Sequence, residues 1–414
     1  MLLNLVLSVV SCLIQETFSK YLPNNSCKNY IDYYFINTSK NCYHNGEFFE
    51  QTTEIIEKHI GFSETYNVTT EDGYILTIFR IPKQRPRGIV ILQHPVTTDS
   101  IVWVGQSNES LAFLLWNFGY DIWLPNHRGT YFSRKHVNLT ISDEEYWDFS
   151  FHEIGLYDYK AIIDFVKNKT GRKIVFISHS MSTTASLIYS SLRPKEAEAS
   201  VQVFISMSPV SYLKHVRSPV KYLAPFTPFL KMINTLLHIT HLQEYDSPLM
   251  QTMRLLMLEL PFKYLANMMI SLFQGWNPRE FDPAFINLSI SHHPRSYPWK
   301  IFYHYVQQYL SGGRFQMYDY GPKINKELYG SLIPPEYPVE EIIAPTYLVY
   351  SKHDSLATSE DAELLYSKLN EKAKIYGKLE IENINHVDFH YGKHRKEKVF
   401  HEIIKLLEFI EPNF

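Results

Sequence analysis

Residues 173–187, K-I-V-F-I-S-H-S-M-S-T-T-A-S-L, constrain this chain more than any other stretch. The run 173–177 is β-branched and aromatic and reads as a buried strand. Residues 182–191 read as a helix that begins on small side chains. Ser178-His179-Ser180-Met181-Ser182 lies between them. A strand, a tight turn carrying a serine and then a helix lifts the serine Oγ above the carboxyl edge of a sheet. The helix N-terminus then aims free N–H groups at negative charge developing on a bound oxygen. Such a turn is normally written G-x-S-x-G, but both glycine positions here hold serine, Ser178 and Ser182. The two substitutions predict a strain of roughly 1 kcal/mol, not a broken turn.

Strands and helices alternate around this stretch. Residues 66–69 and 74–80 flank Glu71-Asp72-Gly73 as a hairpin, and 88–93, 120–124, 202–206, 346–351 and 378–384 read as further strands. Helices are expected at 52–59, 111–116, 158–167, 359–370 (capped by Ser359) and 396–410. This alternation predicts an α/β chain with a mostly parallel central sheet covered by helices on both faces. From residue 209 to 340 the alternation stops, and the sequence turns helical, aromatic and proline-punctuated. We read it as an inserted, mainly helical cap, in which Met- and Leu-rich residues 250–269 offer an apolar inner face. For any single methionine, plain helix packing is the simpler reading. The expected organisation is a leader over 1–19, a core over 20–208, the cap over 209–340 and the rest of the core over 341–414. Residues 20–50, rich in Tyr and Asn, read as an irregular surface segment.

Residues 1–14 form an apolar run too short to span a bilayer, as in a secretory leader, and no later apolar stretch is long enough for a membrane span. Asn24, Asn37, Asn67, Asn108, Asn138, Asn168 and Asn287 each begin N-x-S/T and are candidate glycosylation sites. Together these features predict a secreted protein, or one of the lysosomal lumen. Cys12 falls in the leader, which leaves Cys27 and Cys42 as a candidate disulfide in an oxidising compartment. No Cys and His cluster has metal-site spacing, so no metal is expected. A net charge of −3 over 414 residues implies no nucleic-acid surface.

Three residues follow the ends of expected strands: Ser180, Asp354 and His386. A serine hydroxyl is a poor nucleophile at neutral pH, so His386 is expected to take its proton. Asp354 would orient the imidazole and stabilise its cation. Asp361 and Asp388 compete for that role, but Asp354 directly follows a hydrophobic strand. The oxyanion formed by such chemistry needs two N–H donors, expected from Met181 and from Val96 in the loop after strand 88–93. Singly, each residue has a plainer reading, since a serine-rich loop, a turn aspartate and a surface histidine are all common.

With those residues in place, the chain resembles the acid lipase family of α/β-hydrolases, which includes gastric, lysosomal and many insect lipases. The likeness covers residues 54–410 and rests on T-T-E-D-G-Y-I-L at Thr69, L-Q-H at Leu92 and G-Y-D-I-W-L-P-N-H-R-G at Gly119. S-R-K-H at Ser133, Y-W-D-F-S-F-H-E-I-G at Tyr146, G-W-N at Gly275, Y-S-K-H-D-S-L-A at Tyr350 and N-H-V-D-F at Asn385 continue it. The resemblance implies an α/β-hydrolase fold with a cap and hydrolysis of acylglycerols or sterol esters without a cofactor. It implies lipid or acyl-ester substrates and transient contact of the cap with a lipid interface. Ser180, Asp354 and His386 match the family's triad, and Val96 and Met181 its oxyanion donors. The chain departs from the family at Ser178 and Ser182, at Pro95, where the family has glycine, and at Pro294-Arg295-Ser296-Tyr297-Pro298-Trp299 in the cap. Those departures leave two alternatives to a lipase: a non-catalytic lipid carrier and a short-chain carboxylesterase.

Overall fold

The structure, a computed structural model, describes residues 23–410. The leader expected over 1–19, with Cys12, lies outside the described residues. The chain opens on a two-stranded antiparallel ribbon, β1 (Ser26–Cys27) and β2 (Cys42–Tyr43), whose paired cysteines, Cys27 and Cys42, form a disulfide. The expectation of an irregular surface segment at 20–50 therefore needs correction. Cys27, Tyr33 and Phe48 are buried, and the Tyr33 hydroxyl donates to the Pro283 carbonyl at 2.7 Å. Aromatic side chains scattered without a period concealed that docking.

Helix α1 (Thr52–Ile60) then leads into the main sheet. Its strands are β3 (Glu64–Thr69), β4 (Tyr74–Ile81), β5 (Ile89–Gln93), β6 (Asp121–Pro125), β7 (Lys135–His136), β8 (Ile174–His179), β9 (Val201–Met207), β10 (Thr346–Ser351) and β11 (Lys378–Ile381). The order across the sheet is β11-β10-β9-β8-β5-β6-β4-β3, with β7 on β4. From β11 to β6 every pair is parallel; β3, β4 and β7 run antiparallel. The parallel strands inside the sheet, β5, β6, β8, β9 and β10, are buried on both faces because helices cover both. On β8, Val175 and Ile177 join one buried cluster while Ile174 and Phe176 join the other. A near-continuous Val/Ile/Phe run, with no polar alternation, is what two covered faces require.

Helix α2 (Leu111–Asn117) precedes β6, α3 (Tyr159–Thr170) precedes β8, and α4 (Met181–Leu192) follows it directly. Between β9 and β10, described residues add no strand to the main sheet. That segment contains α5 (Thr227–Leu236), α6 (Pro248–Leu258), α7 (Phe262–Gln274) and α8 (Trp299–Leu310), besides shorter helices. Over 250–269, Met257, Leu258 and Tyr264 pack inward against the core, while Met253, Leu256, Leu265, Met268 and Met269 are exposed. Much of that apolar surface faces outward. Among the described residues no single helix is long and apolar enough to cross a membrane; α6 and α7 meet the requirement only as a pair bent by 97°.

Two boundaries also shift. Helix α9 (Ser359–Lys368) is capped by Thr358, whose side chain accepts from the Asp361 N–H, so Ser359 is the first helical residue. Strand β11 stops at Ile381, because Asn383 adopts a φ of 59° and turns the chain toward His386. The last helix, α10 (His401–Ile410), is preceded by a wider π-helical turn at Lys396–Phe400.

Candidate active site

Ser180 joins β8 to α4 with φ 57° and ψ −123°, a conformation that costs a non-glycine residue about 1–3 kcal/mol. The surroundings hold it there. Its N–H donates to the Met207 carbonyl at 3.1 Å, and its carbonyl accepts from the Thr183 N–H at 2.8 Å and the Thr183 hydroxyl at 2.6 Å. The strain aims Oγ at the carboxyl edge of the sheet, where the loops after β10 and β11 also end.

There the three residues expected to cooperate meet. His386 Nε2 lies 2.7 Å from Ser180 Oγ, and His386 Nδ1 lies 2.8 Å from Asp354 Oδ2. Asp354 Oδ1 accepts the N–H groups of Leu356 and Ala357 at 2.8 and 2.9 Å, which fixes the carboxylate plane. Ser180, Asp354 and His386 are 7, 0 and 5% exposed, so the relay is almost sealed from bulk water. Neither competing aspartate reaches the imidazole. Asp361 receives His215 Nδ1 at 2.8 Å, and Asp388 Oδ2 accepts the Asn385 N–H at 2.7 Å. Asp388 instead fixes the turn that carries His386. Burial pushes its carboxyl up to about 7, and neighbouring Glu280 adds to the effect.

The loop after β5 bends over the elbow. His94 is fully buried, and burial holds its imidazole down to about 3, so it is neutral. Its Nε2 accepts the His127 N–H at 3.1 Å, which leaves the proton on Nδ1, donated to the Pro95 carbonyl at 2.9 Å. The Ser182 hydroxyl donates to the His94 carbonyl. Serine at this glycine position therefore adds a bond between elbow helix and loop that glycine could not make. Val96 packs against the cluster that contains Met181, the first residue of α4. A first-turn N–H such as that of Met181 has no acceptor within its own helix and is free for a ligand.

The segment between β9 and β10 grips this edge at several places, two of which bear on the loops of the site. Arg295 donates its backbone N–H to the Thr97 carbonyl at 2.8 Å, and its Nε lies 2.5 Å from Asp99 Oδ2, bent off the N–H axis, as an ion pair. Both side chains are fully buried. Burial raises the Asp99 carboxyl and Arg295 opposes it. Tyr297, two residues on, places its hydroxyl 2.9 Å from His127 Nδ1. The stretch 294–299 thus pins the loop that carries Val96. At the second place the Gln274 carbonyl, ending α7, accepts from the N–H groups of Ser355 and His386, each at 3.3 Å. Gly275 follows with φ 121°, where a Cβ would lie 2.4 Å from the His353 carbonyl oxygen, so only glycine allows this approach.

Sequence reasoning missed Ser208, whose hydroxyl contacts both Asp354 and His386. The available signal was its position immediately after β9, beside the elbow strand. One glycosylation candidate is corrected. Asn287 is 4% exposed, its amide donates to the Asn25 carbonyl at 2.5 Å, and its Oδ1 accepts Lys263 Nζ at 3.2 Å, so no glycan fits there. Asn37, Asn67, Asn108, Asn138 and Asn168 are exposed, and Asn24 is half-buried. Among the described residues no group of three or more His, Cys, Asp or Glu side chains is arranged to hold a metal ion.

A mostly parallel sheet of this order, with a strained serine between a central strand and its helix, defines an α/β-hydrolase. The family model of the partial alpha/beta-hydrolase lipase region matches residues 52–107. Lipase member K of Homo sapiens is 32% identical over 83% of this chain and 87% of its own length. The gastric triacylglycerol lipase of Rattus norvegicus is also 32% identical, over 83% of this chain and 88% of its own. A soluble variant of the monoglyceride lipase of Saccharomyces cerevisiae shares the fold, with a TM-score of 0.51 at 14% identity over 83% of this chain and 94% of that one. The chain belongs to the acid lipase family of α/β-hydrolases and is a lipase-type carboxylic ester hydrolase.

Proposed function

We propose that this chain is a secreted lipase that cleaves carboxylic esters of lipids, acylglycerols or sterol esters, through an acyl-enzyme on Ser180. The observation that carries this reading is the unbroken relay from Ser180 Oγ through His386 to Asp354, with links of 2.7 and 2.8 Å. In the first half-reaction Oγ bonds to the ester carbonyl carbon while its proton passes to His386 Nε2. The negative charge moves to the carbonyl oxygen, which the N–H groups of Met181 and Val96 receive. Asp354 stabilises the imidazolium. Collapse expels the alcohol, which takes the proton from Nε2, and water then repeats the sequence to release the acid.

A lipid substrate is favoured by the relatives, one of them a triacylglycerol lipase, and by the outward apolar side chains of residues 220–276. Tyr222, Phe226, Phe229, Leu236 and Trp276 are 58–74% exposed, a surface suited to brief contact with a lipid interface. In this reading residues 209–340 act as a cap over the site. The leader and the exposed sequons support secretion, with the lysosomal lumen as the other destination. The test is hydrolysis of fluorogenic acyl esters, short to long chain, from acidic to neutral pH, by wild type and Ser180→Ala. We expect turnover that disappears in the variant and favours long chains. A preference for short chains alone would point to a carboxylesterase, and turnover equal in the two proteins would contradict the reading.

A further inference from the structure

Ser208 directly follows β9, is fully buried and has φ 49°, a left-handed conformation that costs serine free energy without evident need at a strand end. The position explains the cost. The Met207 carbonyl accepts the N–H of the nucleophile Ser180 at 3.1 Å, and the Ser208 N–H donates to the Val349 carbonyl on β10 at 2.7 Å. One peptide link therefore anchors the nucleophile on one side and the acid's strand on the other. The left-handed turn places Ser208 Oγ between the remaining two members of the relay. Its hydroxyl donates to Asp354 Oδ2, and the same oxygen lies 2.7 Å from His386 Nδ1. Asp354 then accepts four donors, two N–H groups on Oδ1 and the hydroxyl and imidazole on Oδ2. The next residues are fixed too, since the Val210 N–H donates to Thr183 Oγ1 at 2.9 Å and the Val210 carbonyl accepts from Thr184 Oγ1 at 2.6 Å.

We propose that Ser208 is a positioning residue of the ester-hydrolysis site, whose hydroxyl fixes the Asp354–His386 pair and tunes the basicity of His386. The inference rests on the assignment of those two residues as acid and base. The hydroxyl donates to the carboxylate oxygen that faces the imidazole and so draws off part of its negative charge. Removing the hydroxyl would return that charge to the carboxylate facing the ring, which is the change the variants are designed to read. The hydroxyl also prevents the carboxylate from swinging away from the ring, which preserves alignment with Ser180. The other titratable groups facing this pair are His179 from β8, its ring 5.0 Å from that of His386, and His390 beyond the His386 turn. Arg217 donates to the Asp354 carbonyl at 3.1 Å and not to its carboxylate. Burial and the neighbouring histidines keep His179 and His390 neutral, so neither supplies a competing charge.

Ser208→Gly and Ser208→Ala test this. Glycine suits the positive φ, so its variant removes the hydroxyl without backbone strain. We expect kcat to fall roughly tenfold at unchanged KM in both variants, with thermal stability kept in the glycine variant. The acid limb of kcat/KM should rise by about half a pH unit. An activity loss that tracks stability with an unmoved acid limb would overturn the proposal, as would two variants with wild-type kinetics. Titration of the His386 imidazole by NMR, in wild type and Ser208→Gly, reads the same effect without turnover. An unmoved titration overturns the role of Ser208, whereas a shifted titration in a protein lacking Ser180-dependent hydrolysis would leave that role standing and count against the esterase reading alone.

Discussion

At the carboxyl edge of the sheet, side chains are placed by hydrogen bonds; on the helices from residue 220 to 276, apolar side chains are left facing outward. Around Ser180 a strained backbone, a sealed relay and a doubly anchored carboxylate admit one arrangement. On α5 no residue is buried, and Phe229, Leu230, Met232 and Leu236 all lie exposed. The first region resembles a core with polar members, in which the groups of the relay are paired because desolvation without a partner is costly. The second carries more exposed apolar surface than a chain surrounded only by water would favour. In the proposed reading, chemistry belongs to the edge and contact with an apolar phase to the helices. Arg295 on Asp99 and Gln274 on the loops of Asp354 and His386 tie the segment that carries those helices to the edge.

Substitutions should separate the two regions. The largest effect is expected of Ser180→Ala, which should lower ester hydrolysis by about 10⁴-fold or more while the protein stays folded. Asp354→Asn should approach the same loss, because the imidazole would lose its orienting anion, and steady-state kinetics with circular dichroism would check both. Next comes Arg295→Met, which strands a buried Asp99 carboxylate. Denaturant unfolding should show a loss of about 3–5 kcal/mol, with slower turnover as the Val96 loop loosens, and Asp99→Leu in the same chain should restore part of the stability. A loss in stability without slower turnover would detach that ion pair from the site.

The pH dependence of stability follows with two opposing signs. Burial depresses His94, His293, His304 and His390 to about 3, and His127, His179 and His292 well below the usual range. Unfolded histidines bind protons below about pH 6.5 where these cannot, so their contribution is complete above that pH and is lost on acidification. Asp388, raised to about 7, acts the other way, and its contribution, complete at acid pH, is lost as pH rises through 7. Thermal melts from pH 4 to 8 should therefore show stability falling on the acid side. Asp388→Asn should raise stability near pH 8 relative to pH 5. The smallest effect on stability, within about 0.5 kcal/mol, is expected of Phe226→Glu and Phe229→Glu. These variants should slow hydrolysis of emulsified long-chain esters several-fold and spare dissolved short-chain esters. Equal losses on both substrates would end the division of labour drawn above.

The sheet was legible in the sequence because buried parallel strands are apolar throughout, and each expected strand fell within a few residues of its place. Ser180, Asp354 and His386 were legible because each follows a strand end. Other parts depended on long-range contacts that no local pattern encodes. Asn287 has the same local motif as the exposed sequons, and its long-range packing against residue 25 and Lys263 is what sets it apart. The N-terminal segment hides its burial because Tyr33 docks on residue 283, far along the chain. Ser208 escaped notice because S-M-S-P looks like a strand end, and its role needs two partners more than 140 residues away. The exposed apolar side chains of residues 250–269 were not legible, because apolar content alone does not separate a helix's inner face from its outer one.

The central claim is that the edge of the sheet makes Ser180 a nucleophile. A fluorophosphonate probe attacked by an activated serine leaves a covalent phosphonyl group, and peptide mass spectrometry locates it. The account predicts one adduct per chain, on Ser180, absent from Ser180→Ala and formed at least a hundredfold more slowly in His386→Ala. A folded wild-type protein that takes up no probe, or takes it up equally well without His386, would contradict it.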